Sequence, residues 1–217
     1  MQTAITRLTE LEAVNRILSS VGAEKVSALT NLSLIADSAY TQLRDSLRDL
    51  QSHPWGFNTE YEVEFTAADS KITIADSDYI AAIDLDPRHA QNLDVVLRDD
   101  AGTQRLWDRK THTFAAFTSG SVYKATVTYY LQYEDCPEIV KIFVMSMAAV
   151  NFQASQVGNG QVDAILRQNL ATAKAAFMSY ESAQESWSIW DNYDFFKVVS
   201  GEQRPNIGSG AAWWGTR

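Results

Sequence analysis

Between Ile139 and Phe152 apolar side chains fill nearly every position: Ile139, Ile142, Phe143, Val144, Met145, Met147, Ala148, Ala149, Val150 and Phe152. A helix that is apolar almost all the way round has to be buried on most of its faces. Pro137 and Glu138 stand where it would begin. Proline's missing N–H costs nothing in a first turn, and a carboxylate suits the positive helix end. Gly158-Asn159-Gly160 predicts a three-residue turn. Beyond it Leu166, Leu170, Ala173, Phe177, Tyr180, Gln184 and Trp187 alternate spacings of four and three, which draws one seam along a second helix. Together they predict a stiff antiparallel hairpin from Pro137 to Trp190.

The N-terminal part carries the same period. Thr9 or Thr6 is placed to cap a helix whose stripe is Leu11, Val14, Ile17, Leu18 and Val21, ended by Gly22. Asn31 is the expected cap of a second helix that buries Leu32, Ile35, Ala39, Leu43, Leu47 and Leu50 and turns Arg44, Asp45, Arg48 and Asp49 to water. Pro54 closes it, because the residue before proline avoids helical geometry. In the junction His53-Pro54-Trp55-Gly56-Phe57-Asn58, Trp55 and Phe57 are expected to anchor the core.

At Thr59 the period changes to two, with Tyr61, Val63 and Phe65 alternating with Glu60, Glu62 and Glu64. Further strands are predicted at Lys71 to Ala75, Tyr79 to Leu85, Leu93 to Arg98, Gln104 to Trp107, Thr113 to Phe117 and Val122 to Tyr133. Turn residues separate them at Ala68-Asp69-Ser70, Asp76-Ser77-Asp78, Asp99-Asp100-Ala101-Gly102 and Ser119-Gly120. Six or seven short strands predict a small antiparallel sheet or barrel. The expected fold is α+β: a four-helix stem of two helical hairpins, an inserted antiparallel β unit and a flexible C-terminal arm. The expected divisions are 1–58 (a helical pair), 59–135 (the β unit), 136–196 (a hairpin packing with 1–58) and 197–217 (the arm).

Charge separates the same pieces. The net charge of −9 falls as −1 over residues 1–59, −7 over 60–135 (7 basic against 14 acidic side chains) and −1 over 136–217. An acidic unit repels nucleic acid, since tight binding needs cations that displace counterions. The lone Cys136 excludes an intrachain disulfide and a cysteine metal cluster. The longest apolar run, Ile142 to Val150, is too short to span a bilayer, and no basic-apolar leader opens the chain; a soluble, unexported protein is expected.

Candidate chemistry is sparse. His53, His89 and His112 are scattered, and none sits at metal-ligand spacing with another His or Cys. Asp76-Ser77-Asp78 and Asp84-Leu85-Asp86 resemble fragments of a calcium loop without its glycine and closing glutamate, and read as solvated turn aspartates. There is no nucleophile elbow, phosphate loop or dinucleotide fingerprint. No cofactor, metal or catalytic residue is expected. The alternative is a glycan hydrolase built on a pair of β-unit carboxylates, which need not be close in sequence.

Several strings, in order, resemble tail tubular protein A, the head-to-tail adaptor family of short-tailed phages. Leu11-Glu12-Ala13-Val14-Asn15-Arg16-Ile17-Leu18 with Ser20-Val21-Gly22 resembles the family's opening helix. Trp55-Gly56-Phe57-Asn58 resembles its helix-to-sheet junction, and Trp107-Asp108-Arg109-Lys110-Thr111 a strand and turn of its β unit. Tyr133-Glu134-Asp135-Cys136-Pro137-Glu138 resembles the entry to its stem, and the chain likewise ends in Thr216-Arg217. The likeness runs from about Leu8 to Asp194. It implies a structural virion protein made in the host cytoplasm, a dodecameric ring below the portal protein that continues the DNA channel. It further implies docking of the tail nozzle protein and tail fibres, and passage of genomic DNA without sequence-specific binding.

The acidic middle suits a channel wall that DNA slides past. The segment Gly201 to Arg217 holds four glycines and Pro205, so no regular element is expected there. It closes on Trp213, Trp214 and Arg217, residue types that anchor interfaces, and these three are the candidate interface residues.

Overall fold

A computed structural model gives the structure of the protein and describes residues 7–75, 79–86, 90, 92–156 and 160–184. Among the described residues there are four α-helices, α1 (Glu10–Ser20), α2 (Leu34–Gln51), α3 (Glu138–Gln156) and α4 (Gly160–Gln184). Among them too are five strands between α2 and α3: β1 (Thr59–Thr66), β2 (Ile80–Leu85), β3 (Val95–Asp100), β4 (Thr103–Asp108) and β5 (Val122–Tyr129). The fold is α+β as expected, with helical pairs flanking an inserted β unit.

α3 is the centre of the helical part and packs against α1, α2 and α4. Its buried face includes Val140, Phe143, Val144, Ala148, Ala149 and Phe152, so the apolar run is buried as its pattern requires; only Ile142 among its large apolar side chains is more than a third exposed. The seam of α4 faces it through Leu166, Leu170, Ala173 and Phe177. Phe143 near the start of α3 stacks on Phe177 near the end of α4, the pairing an antiparallel hairpin produces. Gly160, expected in the turn, is the first residue of α4, and Gln184, expected on the seam, is exposed. Residues 157–159 and Trp187 lie outside the described residues.

Helix ends follow local chemistry. The Thr9 hydroxyl accepts from Glu12 N at 3.2 Å, while Thr6 lies outside the described residues. Gly22, with φ of +74°, lets the chain turn back so that Ala23 N reaches Leu18 O at 3.0 Å. The cap of α2 is Ser33, whose hydroxyl accepts from Ala36 N at 3.4 Å, and not Asn31. Asn31 instead takes a left-handed conformation with φ of +53° in the loop before it. The expected stripe holds at Ala39, Leu43, Leu47 and Leu50, but in the first turn Ala36 is buried and Ile35, expected inside, is 48% exposed.

The β unit departs further from expectation. Among the described residues it forms a three-stranded antiparallel sheet in the order β1-β5-β2 and a separate antiparallel β3-β4 hairpin, so the expected small antiparallel unit is divided in two. Lys71 to Ala75 and Thr113 to Phe117 are not strands. They run beside β4 with only isolated pairings: Leu106 N donates to Ile72 O at 3.1 Å, Ile74 N to Gln104 O at 2.9 Å and Asp108 N to Thr113 O at 3.0 Å. Their alternation is real, since Ile72 and Ile74 are buried, but each segment is too short to build a ladder. β5 ends at Tyr129, and Tyr133–Asp135 form a short 3-10 turn. In β1 the register shifts between Glu60 and Val63 and Glu62 has φ of +56°. A bulge of this kind re-aims side chains, and Tyr61, expected in the core, is 74% exposed. Ala101-Gly102 closes the β3-β4 hairpin with both residues at positive φ, the geometry matched to strand twist.

Two clusters of buried residues result, one around α3 and one between the sheet and the hairpin, the latter including Ile72, Ile74, Leu85, Leu106, Phe117 and Val127. The chain crosses between them twice, at 52–58 and 130–137, and two buried amides tie the crossings together. Asn58 donates from Nδ2 to Gln51 O at 3.1 Å and Tyr129 O at 3.2 Å, and its Oδ1 accepts from Trp55 N at 2.8 Å. Gln51 donates from Nε2 to Leu131 O at 3.1 Å and accepts from Leu131 N. Asn58→Ala orphans one N–H and several carbonyls at this crossing. It is expected to lower stability by about 1–3 kcal/mol in chemical denaturation, while Asn58→Asp, which presents oxygen to those carbonyls, costs more than the alanine.

Candidate functional site

The strings singled out in the sequence sit where elements are joined. In the opening helix, Asn15 pairs with the loop that leads to α2: Nδ2 donates to Val26 O at 2.9 Å and Oδ1 accepts from Val26 N at 2.7 Å. In the junction after α2, the Trp55 indole donates to Leu50 O at 2.8 Å, and its ring meets Phe177 edge-on at 4.9 Å. Gly56 N donates to the buried Glu181 carboxylate at 2.7 Å, and a Cβ at Gly56 would lie 3.3 Å from that oxygen. The end of α4 is thereby fastened to the first crossing.

At the second crossing, Glu138 accepts from Leu8 N at 3.1 and 3.2 Å and Glu134 from Glu10 N at 2.8 Å, so the stem entry holds the chain leading into α1. Lys141 is 1% exposed; its ammonium donates to Glu134 O at 3.0 Å and the Glu134 carboxylate at 3.4 Å, and lies over the Tyr133 ring. Burial raises the Tyr133 phenol above its ordinary range, with Glu138 and Glu134 adding to the rise. Burial likewise pushes the Cys136 thiol up to about 12, despite Lys141 beside it, so at neutral pH it is a protonated, packed side chain and no nucleophile.

In the third string, Asp108 has no exposed surface. Its carboxylate accepts from Asp94 N at 3.0 Å, Lys110 N at 3.3 Å and Thr111 N at 3.0 Å, and from the Thr111 hydroxyl. Burial alone would raise its pKa; the four donors outweigh that and hold it at about 2. One fixed anion therefore organises the whole turn after β4.

The acidic surface is partly neutralised within the chain. Asp94 pairs with Arg109, Asp100 with Arg105 and Lys71, and Glu62 and Glu64 with Lys124. Glu60, Asp69, Asp84 and Asp99 are exposed. Asp84 stands outward on β2 with Asp86 half-buried after it; among the described residues no group of three metal-ligating side chains assembles. His53 and His112 are exposed, far apart in sequence on separate turns. Asp76, Asp78 and His89 lie outside the described residues, as do the expected interface residues Trp213, Trp214 and Arg217. Lys141, Asn15, Gln51, Asn58, Glu181 and Asp108 went unrecognised as structural centres in the sequence; the only signal for them was polar residues inside otherwise apolar stripes or at junctions.

A cleft of about 230 Å³ opens where stem and β unit meet, lined by Glu10, Arg44, Arg48, Tyr79, Tyr130 and Tyr133 among others. Burial raises the pKa of Glu10, with Arg44 opposing and Glu134 reinforcing. Among the described residues it is the only carboxylate lining the cleft. Among the described residues no helix is long and apolar enough to cross a membrane.

Buried polar groups join elements of the fold to one another. The tail tubular protein family matches residues 11–187, and the chain belongs to that family. No curated protein matches the chain. The family is structural, which places the protein in the tail of a phage particle, assembled with other tail and portal components, and removes the glycan-hydrolase alternative.

Proposed function

We propose that the protein is the head-to-tail adaptor subunit, twelve copies of which form a ring below the portal protein, continue the DNA channel and dock the tail nozzle protein and the fibres. Family membership over residues 11–187 carries this reading. The subunit is made in the host cytoplasm and joins the particle during assembly. Its functional divisions are the stem (1–58 with 136–196), the β unit (59–135) and the arm (197–217). Exposed carboxylates such as Asp69, Asp84 and Asp99 suit a channel wall. Surface charges act over only about 8 Å at physiological salt, so many must work together along a narrow passage. A channel lined mainly by Lys and Arg would contradict this part.

The arm, through Trp213, Trp214 and Arg217, is proposed to order on a neighbouring copy or on the portal. Light scattering and negative-stain microscopy of the purified protein are expected to give a ring, many times the 24.2 kDa of one chain. Deleting residues 202–217 is expected to preserve the helical signal and melting temperature while ring assembly or portal docking is lost. A monomer at high concentration sinks the ring; a large loss of subunit stability in the truncation sinks the arm.

A further inference from the structure

A ring of identical subunits is closed by head-to-tail contacts, in which two different surfaces on opposite flanks of each copy meet. Resting on the ring reading above, the sheet order β1-β5-β2 supplies such flanks. On one edge, β1 presents Glu60, Tyr61 and Glu64 to solvent, and the bulge at Glu62 accompanies the outward turn of the Tyr61 side chain. Toward the other edge, Tyr79 before β2 and Tyr130 after β5 border the cleft that Arg44 and Arg48 of α2 line from the stem side. Arg44 lies over the Tyr40 ring, and among the described residues Arg48 pairs with Asp45 at the surface, a pairing that contributes little.

We infer that the acidic β1 edge of one copy, led by Tyr61, seats in the arginine- and tyrosine-lined cleft of the next copy. The occupant is a second copy of this chain because the charges match across the two flanks. Among the described residues the cleft sets Arg44 and Arg48 against Glu10, whereas the β1 edge carries three glutamates against Lys124. A cleft of about 230 Å³ has room for one tyrosine side chain, and the exposed Tyr61 ring is the projecting apolar group of that edge. Tyrosine and arginine are also the residue types that carry most binding energy at interfaces.

The test uses the full-length chain in two variants, Arg44→Glu with Arg48→Glu, and Glu60→Lys with Glu64→Lys. All four positions are at the surface, and circular dichroism checks that each variant folds. Each variant alone is expected to stay at the 24.2 kDa of one chain, whereas an equimolar mixture regains the wild-type mass. The mixture works because every acidic edge then finds a basic cleft, and every basic edge an acidic one. Wild-type assembly together with unimpaired assembly of either variant alone, or a mixture that remains monomeric, overturns the inference and leaves the ring intact. A monomeric wild type overturns the ring reading itself, and the inference falls with it.

Discussion

Phe177→Ala is expected to lower the unfolding free energy by about 3–5 kcal/mol, the range for removing a fully buried aromatic side chain from a core that relaxes only in part. Phe177 is 1% exposed and is the one ring that three others share. Phe143 of α3 stacks on it with centroids 5.0 Å apart at 15°, Trp55 meets it edge-on at 4.9 Å, and Phe57 does so at 6.3 Å. The loss therefore reaches three segments at once: the α3-α4 hairpin, the first crossing, and through Trp55 the end of α2. Chemical denaturation monitored by tryptophan fluorescence and by far-ultraviolet dichroism measures it. Met178→Ala, one position along α4 but 45% exposed, is the control and should change stability by less than about 1 kcal/mol. Equal losses for the two variants would show that the aromatic cluster does not hold the hairpin.

The second large effect is expected at Asp108. Asp108→Ala leaves the N–H groups of Asp94, Lys110 and Thr111 without the acceptor that a carboxylate with no exposed surface provides. Losing several charge-assisted bonds to one carboxylate at once should cost about 2–4 kcal/mol. The wild type carries a matching pH signature. The folded carboxyl titrates at about 2, below the value of about 3.9 for an aspartate in an unfolded chain. Where the folded pKa is the lower one, the unfolded state takes up the proton first. The stabilisation is complete above about pH 5 and is lost as pH falls from there toward 2. Denaturation midpoints measured between pH 7 and 2.5 should fall more steeply for the wild type than for Asp108→Ala. Parallel profiles would mean that the carboxylate is not the anion that holds the turn.

The strings that resemble the tail tubular proteins sit where elements are joined, two of them at the chain crossings and two at a loop or turn within one part. Asn15 is fixed to Val26, Asn58 to Trp55, Gln51 and Tyr129, Glu138 to Leu8, and Asp108 to the turn that follows it. A core apolar residue can be exchanged for another of similar volume at modest cost. A side chain that satisfies several particular backbone groups has few substitutes. That difference gives a physical reason for these short polar strings to carry the resemblance.

Periodicity along the chain determined the four helices, the alternating segments of the β unit and the seam from Leu166 to Phe177, because each rests on apolar spacing that only one local geometry can bury. Local chemistry likewise determined the Thr9 cap and the Gly22 exit from α1. Three features were settled by tertiary structure alone. The division of the strands into a three-stranded sheet and a hairpin depends on which edges meet, and apolar alternation is the same whichever neighbour a strand takes. The exposure of Tyr61 follows from one extra residue in the β1 register, and nothing in the repeating Glu-apolar pattern marks it. The burial of Lys141 and Asp108 required partners brought by the fold: Glu134 one turn before α3, and the amides of Asp94, Lys110 and Thr111 around the end of β4. A charge can leave water only where such partners are already in place, and their positions are a property of the folded chain and not of any stretch within it.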